Sequence, residues 1–323
     1  LSEVEDALAQ IKKNQGKGLF DSMGDHTQTN IKTISTGSIS LDSALGLGGL
    51  PRGKIIEVYG PEASGKTTIC LHTIAEAQKA GGMVAFIDLE NALDLEYAKS
   101  IGVNEEKLFI SQPENGEEAL NICESLANSK AIDVIVVDSV AAIVAKKEVD
   151  ESMHAQHIGS QSEVLSKALR KLSAIVSKTN TMIIFVNQLR SRFGSSYNAP
   201  DKTLGGKSLK FYASIRLDIR RVKSLIEGDQ SFGNRVKVKI IKNKLSQPYR
   251  EVFFDIVFGE GISKEADIID LAVVRGLIEQ SGAWYKYNEE IIGQGRDMAK
   301  QFLVDNPDIC KYIEDSLRRQ IKC

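Results

Sequence analysis

Alternating strand and helix signals predict an α/β fold with a mostly parallel central sheet and helices on both faces. Three observations carry that prediction. IIEVY and MVAFID are short apolar runs, and IDVIVVD and TMIIFVN are nearly all aliphatic without alternation, as strands covered on both faces are. Segments with helical spacing separate them. The first run feeds into GPEASGKTT at 60–68, a glycine-containing loop at the start of a helix.

Taken in order, Val4, Leu8 and Ile11 set a helical period over 3–13, which Gly16 and Gly18 end. So short a helix does not hold alone and needs a surface to dock on. GLGGLPRG at 46–53 leads into the strand KIIEVY. Next come a helix from about Lys66 to Ala80, the strand MVAFID at 83–88 and a helix from about Leu93. A strand near KLFIS and a helix over 116–128 precede the strands IDVIVVD (132–138) and TMIIFVN (181–187). From Ser214 the pattern alternates, in IRLDIRRV, RVKVKIIKN and REVFFDIVF, which predicts an antiparallel extension of the sheet. Beyond GEGIS lie short helices with small strands. This divides the chain into an N-terminal helix and linker (1–30), a core (31–262) and a small α/β C-terminal domain (263–323).

The 323 residues suffice for a full core, and 42% hydrophobic with 26% charged residues fits an ordinary soluble globular protein. No apolar run is long enough to span a bilayer, and the first residues carry no export signal. The expectation is a cytoplasmic protein without membrane association. Cys70, Cys123, Cys310 and Cys323 form no CxxC motif and read as free thiols in a reducing compartment. Net charge is −2, yet fifteen Lys or Arg stand against four Asp or Glu between Arg190 and Arg250. A local basic field suits a phosphate backbone, and a solvated surface with subunit salt bridges has the same composition.

GPEASGKT fits G-x-x-x-x-G-K-[ST] across Gly60, Pro61, Glu62, Ala63, Ser64, Gly65, Lys66 and Thr67, with Thr68 continuing the helix. Glycines let backbone N–H groups turn inward on a phosphate, and the helix N-terminus adds partial positive charge. Lys66 is suited to the β- and γ-phosphates of a nucleotide such as ATP, and Thr67 to a bound Mg²⁺. Asp138 closes IDVIVVD, either organising that Mg²⁺ through water or capping the next helix, a job open to Ser139 as well. Glu90, after FIDL, is suited to activating an attacking water, with Asp88 as its competitor. Tyr97 suits an adenine ring, or is an ordinary core or surface tyrosine. Gln188, ending IIFVNQ, is suited to contact the γ-phosphate or its water and to pass their presence to the loop behind it.

That loop, 189–206, is long, polar and without structural signals, and it carries Arg190, Arg192, Phe193, Gly194, Tyr197, Lys202, Gly205 and Gly206. Loops of this size are usually functional, and cations with aromatics suit single-stranded nucleic acid. A second candidate loop lies at 146–161. His26, His72, His154 and His157 form no triad or metal pattern and read as structural or exposed.

Over nearly its whole length the chain resembles the bacterial RecA recombinases. GPEASGKTT is shared by many ATPases; FIDLENALD, IDVIVVDSVAA, FVNQLR, GGKSLKFYASIRLDIRR, KNK, FGEGIS and GAWY narrow the resemblance. It implies a RecA-type P-loop ATPase core, an N-terminal helix packed on the neighbouring subunit, and a small C-terminal domain. It also implies helical homo-oligomeric filaments on single-stranded DNA, ATP at the subunit interface, pairing with duplex DNA, strand exchange and stimulated self-cleavage of an SOS repressor. By the same resemblance, Glu90 is the catalytic glutamate, Gln188 the γ-phosphate sensor and Tyr97 the adenine-side tyrosine. Lys242 and Lys244 of KNK reach the neighbour's ATP, Lys210 and Phe211 lie in the interface, and loops 151–159 and 189–206 bind DNA.

Some positions depart from the family pattern. His154-Ala155 stands where Gly-Asp is common, Ser162-Glu163 where Ala-Arg is usual, Lys207-Ser208 for Asn-Ala, and Asn198 for a glycine. Glu163 brings negative charge where the family arginine meets DNA backbone. ATP binding and polymerisation are therefore firmer expectations than DNA affinity. Two other readings stay open: an ATP-dependent filament with weakened strand exchange, and a monomeric small-molecule kinase.

Overall fold

The computed structural model describes residue 10 and residues 31–143, 160–190, 202–203 and 206–322. The helix expected over 3–13 (Gln10 apart) and nearly all of the 146–161 loop lie outside these residues. The chain divides into two compact units, residues 1–32 and 33–323, and the second holds the large sheet with its helices.

This unit opens with β1 (Thr33–Ile34), α1 (Ile39–Leu45) and β2 (Leu50–Pro51), with β1 and β2 antiparallel. Ser38 caps α1 by accepting from the Leu41 N–H at 3.1 Å, as a short polar residue at a helix start does. The expected strand–helix alternation comes next: β3 (Ile55–Gly60), α2 (Lys66–Lys79), β4 (Val84–Asp88), α3 (Leu95–Ile101), β5 (Leu108–Ser111), α4 (Gly116–Ser129) and β6 (Val134–Asp138). α3 starts two residues later than its apolar pattern because Asp94 takes the capping position, accepting from the Tyr97 N–H.

Then come α5 (Ser160–Thr179), β7 (Met182–Arg190), β8 (Lys202–Thr203) and α6 (Ser208–Tyr212). β7 runs past the expected end at 187 and pairs with β8 (Leu189↔Thr203), so the 189–206 segment begins and nearly ends as a ladder. This corrects the expectation of a loop without structure. β9 (Ile215–Glu227), β10 (Gln230–Asn243), β11 (Glu251–Val257) and β12 (Gly261–Ile262) complete the sheet, in the order β12-β11-β10-β9-β3-β7-β6-β4-β5. β9 joins β3 in parallel (Ile56↔Ile215), so the antiparallel part begins one strand later than expected, at β10. The excursion through β8 and α6 carries the chain back to the starting end of the sheet.

The C-terminal part holds α7 (Lys264–Val274), the antiparallel ribbon β13 (Glu279–Ser281), β14 (Trp284–Tyr287) and β15 (Glu290–Gln294), then α8 (Arg296–Asp305) and α9 (Pro307–Lys322). It surrounds its own core of Ile268, Ile269, Ile278, Leu303, Ile313 and Leu317, joined by Ile39 of α1. The large sheet has two apolar faces. Ile56, Val58, Phe86 and Val136 pack under α2; Ile55, Ile87, Ile135 and Phe185 pack under α4 and α5. Burial on both faces explains why these strands read as unbroken apolar runs.

His72 joins the phosphate-loop helix to the far edge of the sheet: its Nε2 accepts from the Ile262 N–H at 2.8 Å. Burial, helped by Lys79, pushes its pKa from 6.5 down to about 4. The folded value lies below the ordinary one, so the neutral ring's contribution is whole above pH 6.5 and is lost as pH falls toward 4. Between pH 7 and pH 5 the protein is expected to lose about 2 kcal/mol more unfolding free energy than His72→Gln, which accepts the same bond without titrating. Denaturant unfolding at both pH values checks this, and equal losses contradict it.

Candidate functional site: a nucleotide cleft at the strand ends

β3 ends at Gly60, the chain turns through Pro61–Ser64, and α2 begins at Lys66. Gly65 sits at the helix start with φ +94°, and an added Cβ would strike Ile256, so the turn and the close approach both require glycine. No side chain caps α2 and its first turn holds no acidic residue. The leading N–H groups and the positive end of the helix therefore remain open to an anion. Ser64 Oγ is buried without a hydrogen-bond partner. Lys66 Nζ donates to the Pro61 carbonyl at 2.7 Å, folded over the loop. Burial lowers the ammonium's pKa against the pull of Asp138, Glu90 and Glu62.

A cavity of about 200 Å³ adjoins the loop, lined by Lys66, Thr67, Asp88, Glu90, Asp138 and Gln188. Thr67 Oγ1 donates to Asp138 Oδ2 at 2.8 Å. Burial pushes Asp138 up to about 6, and the Thr67 bond opposes the shift. The caps weighed for Asp138 and Ser139 are both absent: Ser139 makes no capping bond, and its hydroxyl donates to Glu90 Oε1. Gln188 Nε2 donates to the same oxygen at 3.0 Å. Asp88 is committed elsewhere, accepting from the Ala92 and Leu93 N–H groups at 3.3 and 3.1 Å. Gln112 Nε2 also donates to Asp88 Oδ2, at 3.5 Å, so Asp88 is tied to backbone and to Gln112, and Glu90 is the carboxylate that meets Ser139 and Gln188.

A larger cavity of about 730 Å³ lies on the other side of the loop, lined by Gly65, Thr68, Tyr97, Asn234, Ile256 and Phe258 among others. The Tyr97 hydroxyl bonds Thr68 Oγ1 at 3.0 Å, which turns the ring into that space. Flat apolar walls beside a phosphate loop suit a nucleotide base. The donor set also fits a polyphosphate with Mg²⁺: an uncapped helix start, the Lys66 ammonium, a buried unpartnered Ser64 hydroxyl and the Thr67–Asp138 pair. Mg²⁺ needs few protein ligands when phosphates and waters fill the rest of its shell.

The RecA N-terminal domain family matches residues 2–263, and the RecA C-terminal domain family residues 266–322. The chain belongs to the RecA family. It is 53% identical to Protein RecA of Methylobacterium sp. (strain 4-46) over 319 residues, 98% of this chain and 88% of that relative. Against Protein RecA of Frankia casuarinae the identity is 51%, over 98% and 92% of the two chains. Against that of Streptomyces venezuelae it is 50%, over 98% and 84%. RecA membership supports a function in recombination and repair. No helix among the described residues is long and apolar enough to cross a membrane.

The RecA-type lysines sit apart from this cavity. Lys242 Nζ donates to the Lys210 and Phe211 carbonyls of α6 at 2.6 and 3.0 Å, and Lys244 Nζ to Phe211 at 3.4 Å. Phe211 itself is 69% exposed. Of the expected DNA-contacting residues, Arg190 and Lys202 pair through backbone in β7 and β8, and Gly206 lies at φ +77° against Ser162. Arg192, Phe193, Gly194, Tyr197 and Gly205 fall outside the described residues, as do His26, His154 and His157. Glu163 pairs with Lys167 at 2.9 Å, which offsets its charge.

Sequence reasoning passes over Ser139 as a Glu90 partner, and Asn187, Glu57 and Arg216 altogether. The last three carry a signal: polar residues inside apolar strand runs are rare unless paired. If Ser139 holds the Glu90 carboxylate, Ser139→Ala should lower ATP turnover about ten- to a hundred-fold with little change in nucleotide affinity. Steady-state hydrolysis with a separate binding titration checks this, and unchanged turnover counts against it.

Proposed function

We propose that this chain is a DNA-dependent ATPase, converting ATP to ADP and phosphate, that forms ATP-controlled helical filaments on single-stranded DNA. In that state it pairs the bound strand with homologous duplex and exchanges strands in the cytoplasm, and it stimulates self-cleavage of an SOS repressor. The observation that carries the reading is the Gln188–Glu90 bond beside Lys66, Thr67 and Asp138, in a chain whose Lys242 and Lys244 lie outside that cavity.

The division of labour follows from charge. Lys66 exchanges the Pro61 carbonyl for phosphate oxygens. Glu90, held by Ser139 and Gln188, orients and activates the attacking water. Mg²⁺, held by Thr67 and through water by Asp138, would neutralise charge on the phosphate oxygens. Gln188 gives up Glu90 for the γ-phosphate and so reports its presence along β7 to the 189–206 segment. Lys242 and Lys244, presented on another surface, would place positive charge where a neighbour's γ-phosphate develops it, so hydrolysis would need assembly. A heterologous contact that does not close gives a filament. With ATP inside that contact, nucleotide state sets subunit geometry and through it DNA affinity.

Hydrolysis with and without single-stranded DNA, alongside imaging of the same sample, tests the reading. Strong stimulation together with filaments is expected, and no stimulation under filament-forming conditions would defeat it. Lys66→Ala should abolish most nucleotide binding or turnover. Glu90→Gln should keep ATP binding while hydrolysis falls on the order of 10²- to 10⁴-fold. Unchanged hydrolysis would move the catalytic role to another group.

A further inference from the structure

A row of polar side chains crosses four adjacent strands of the sheet on the face that α6 covers. Gln188 N donates to Asn187 Oδ1 at 2.9 Å, and Asn187 Nδ2 donates to Glu57 Oε1 at 3.0 Å. Glu57 Oε2 accepts from Arg216 Nε, and Arg216 stacks over the Tyr59 ring at 4.7 Å. Glu57 and Arg216 are register partners on β3 and β9, and Arg216 and Lys242 on β9 and β10. Lys242 ends the row on the α6 carbonyls. Glu57 and Asn187 are 0% exposed and Arg216 is 9% exposed, so water screens this part of the row little, while Lys242 at its end is partly exposed.

Its charge balance is narrow. Arg216, Lys242 and Lys244 stand together, and burial with Lys244 and Arg216 pushes Lys242 down to about 8, while Glu57 alone pulls it back. Both Glu57 oxygens are committed, one to each neighbouring strand. A shift of Asn187 reaches Glu57 and Arg216 through these bonds, and the Lys242 ammonium through the charge of Arg216 on the adjacent strand. Packed, fully bonded interiors transmit such shifts instead of absorbing them.

Gln188 is the next residue after Asn187 and shares its backbone bond, while its side chain holds Glu90 in the nucleotide cleft. We propose that Asn187 and Glu57 are positioning residues that couple the Gln188 contact in one subunit's cleft to the Lys242 and Lys244 pair it presents to the next subunit. Resting on the ATP-driven assembly proposed above, this makes each site's occupancy adjust the cations given to the following site. The consequence is cooperative turnover along the filament.

The test measures DNA-stimulated hydrolysis by the full chain against ATP concentration, with nucleotide binding to dispersed subunits and thermal unfolding in parallel. Asn187→Ala cuts the row and leaves the Glu57–Arg216 pair intact. It is expected to fold and bind ATP as the parent does, while the Hill coefficient falls toward one. Its effect and that of Lys244→Ala on kcat/KM should be non-additive by about three- to thirty-fold. Asn187→Leu, which keeps the volume, loses both Asn187 bonds and leaves the Glu57–Arg216 pair in place, should act in the same direction and serves if Asn187→Ala does not fold. An unchanged Hill coefficient with additive effects in a folded, ATP-binding variant overturns the coupling. Absence of DNA-stimulated hydrolysis in the parent chain would instead overturn the proposed function, so the two failures are read separately.

Discussion

Parallel pairing forces β3, β7, β6 and β4 to end on one edge of the sheet, and every chemical feature of the cleft depends on that. The register sets Gly60 beside Gln188 and Asp88 beside Asp138. Strand ends in open α/β sheets are where chain leaves the ladder and side chains converge on a ligand. The phosphate loop, the Thr67–Asp138 bond and the Glu90–Gln188 bond are three consequences of one alignment. A slip of one residue in β7 would turn Asn187 to the other face and break both the cleft and the row behind it.

Burial supplies the electrostatics. Lys66 and Asp138 are shifted in opposite directions by burial, each toward its neutral form; Asp138, Glu90 and Glu62 draw Lys66 back, while Thr67 and Lys66 draw Asp138 back against Glu90 and Asp88. Such a site holds charge that water does not satisfy, which favours a highly charged ligand entering it. Glu57 and Arg216 deal with the same problem by pairing. Removing one partner would strand a buried charge, which costs more than the pair contributes.

Much of this is legible in the sequence. GPEASGKTT announces the loop because its pattern has a local cause, and unbroken apolar runs announce buried parallel strands because both faces are covered. Asp138, Glu90 and Gln188 stand out as polar residues at the ends of those runs. Pairing between strands is harder to read. The parallel joining of β9 to β3 is set by a long crossover that alternation in IRLDIRRV does not reveal. Ser139 reads as a cap in sequence because only three dimensions bring it to Glu90. Glu57 is visible as a charge inside IIEVY, but its partners are 130 and 159 residues away along the chain.

In the proposed function each ATP site is shared between subunits, Glu90 coming from one and Lys244 from the next. Mixing equal amounts of Glu90→Gln and Lys244→Ala chains on single-stranded DNA tests it most directly. Each variant alone should hydrolyse ATP poorly while still binding it and assembling. Random co-assembly should recover about a quarter of the parent rate, because that share of interfaces joins an intact Glu90 to an intact Lys244. A mixture no more active than its separate components, in filaments shown to contain both chains, would contradict the account.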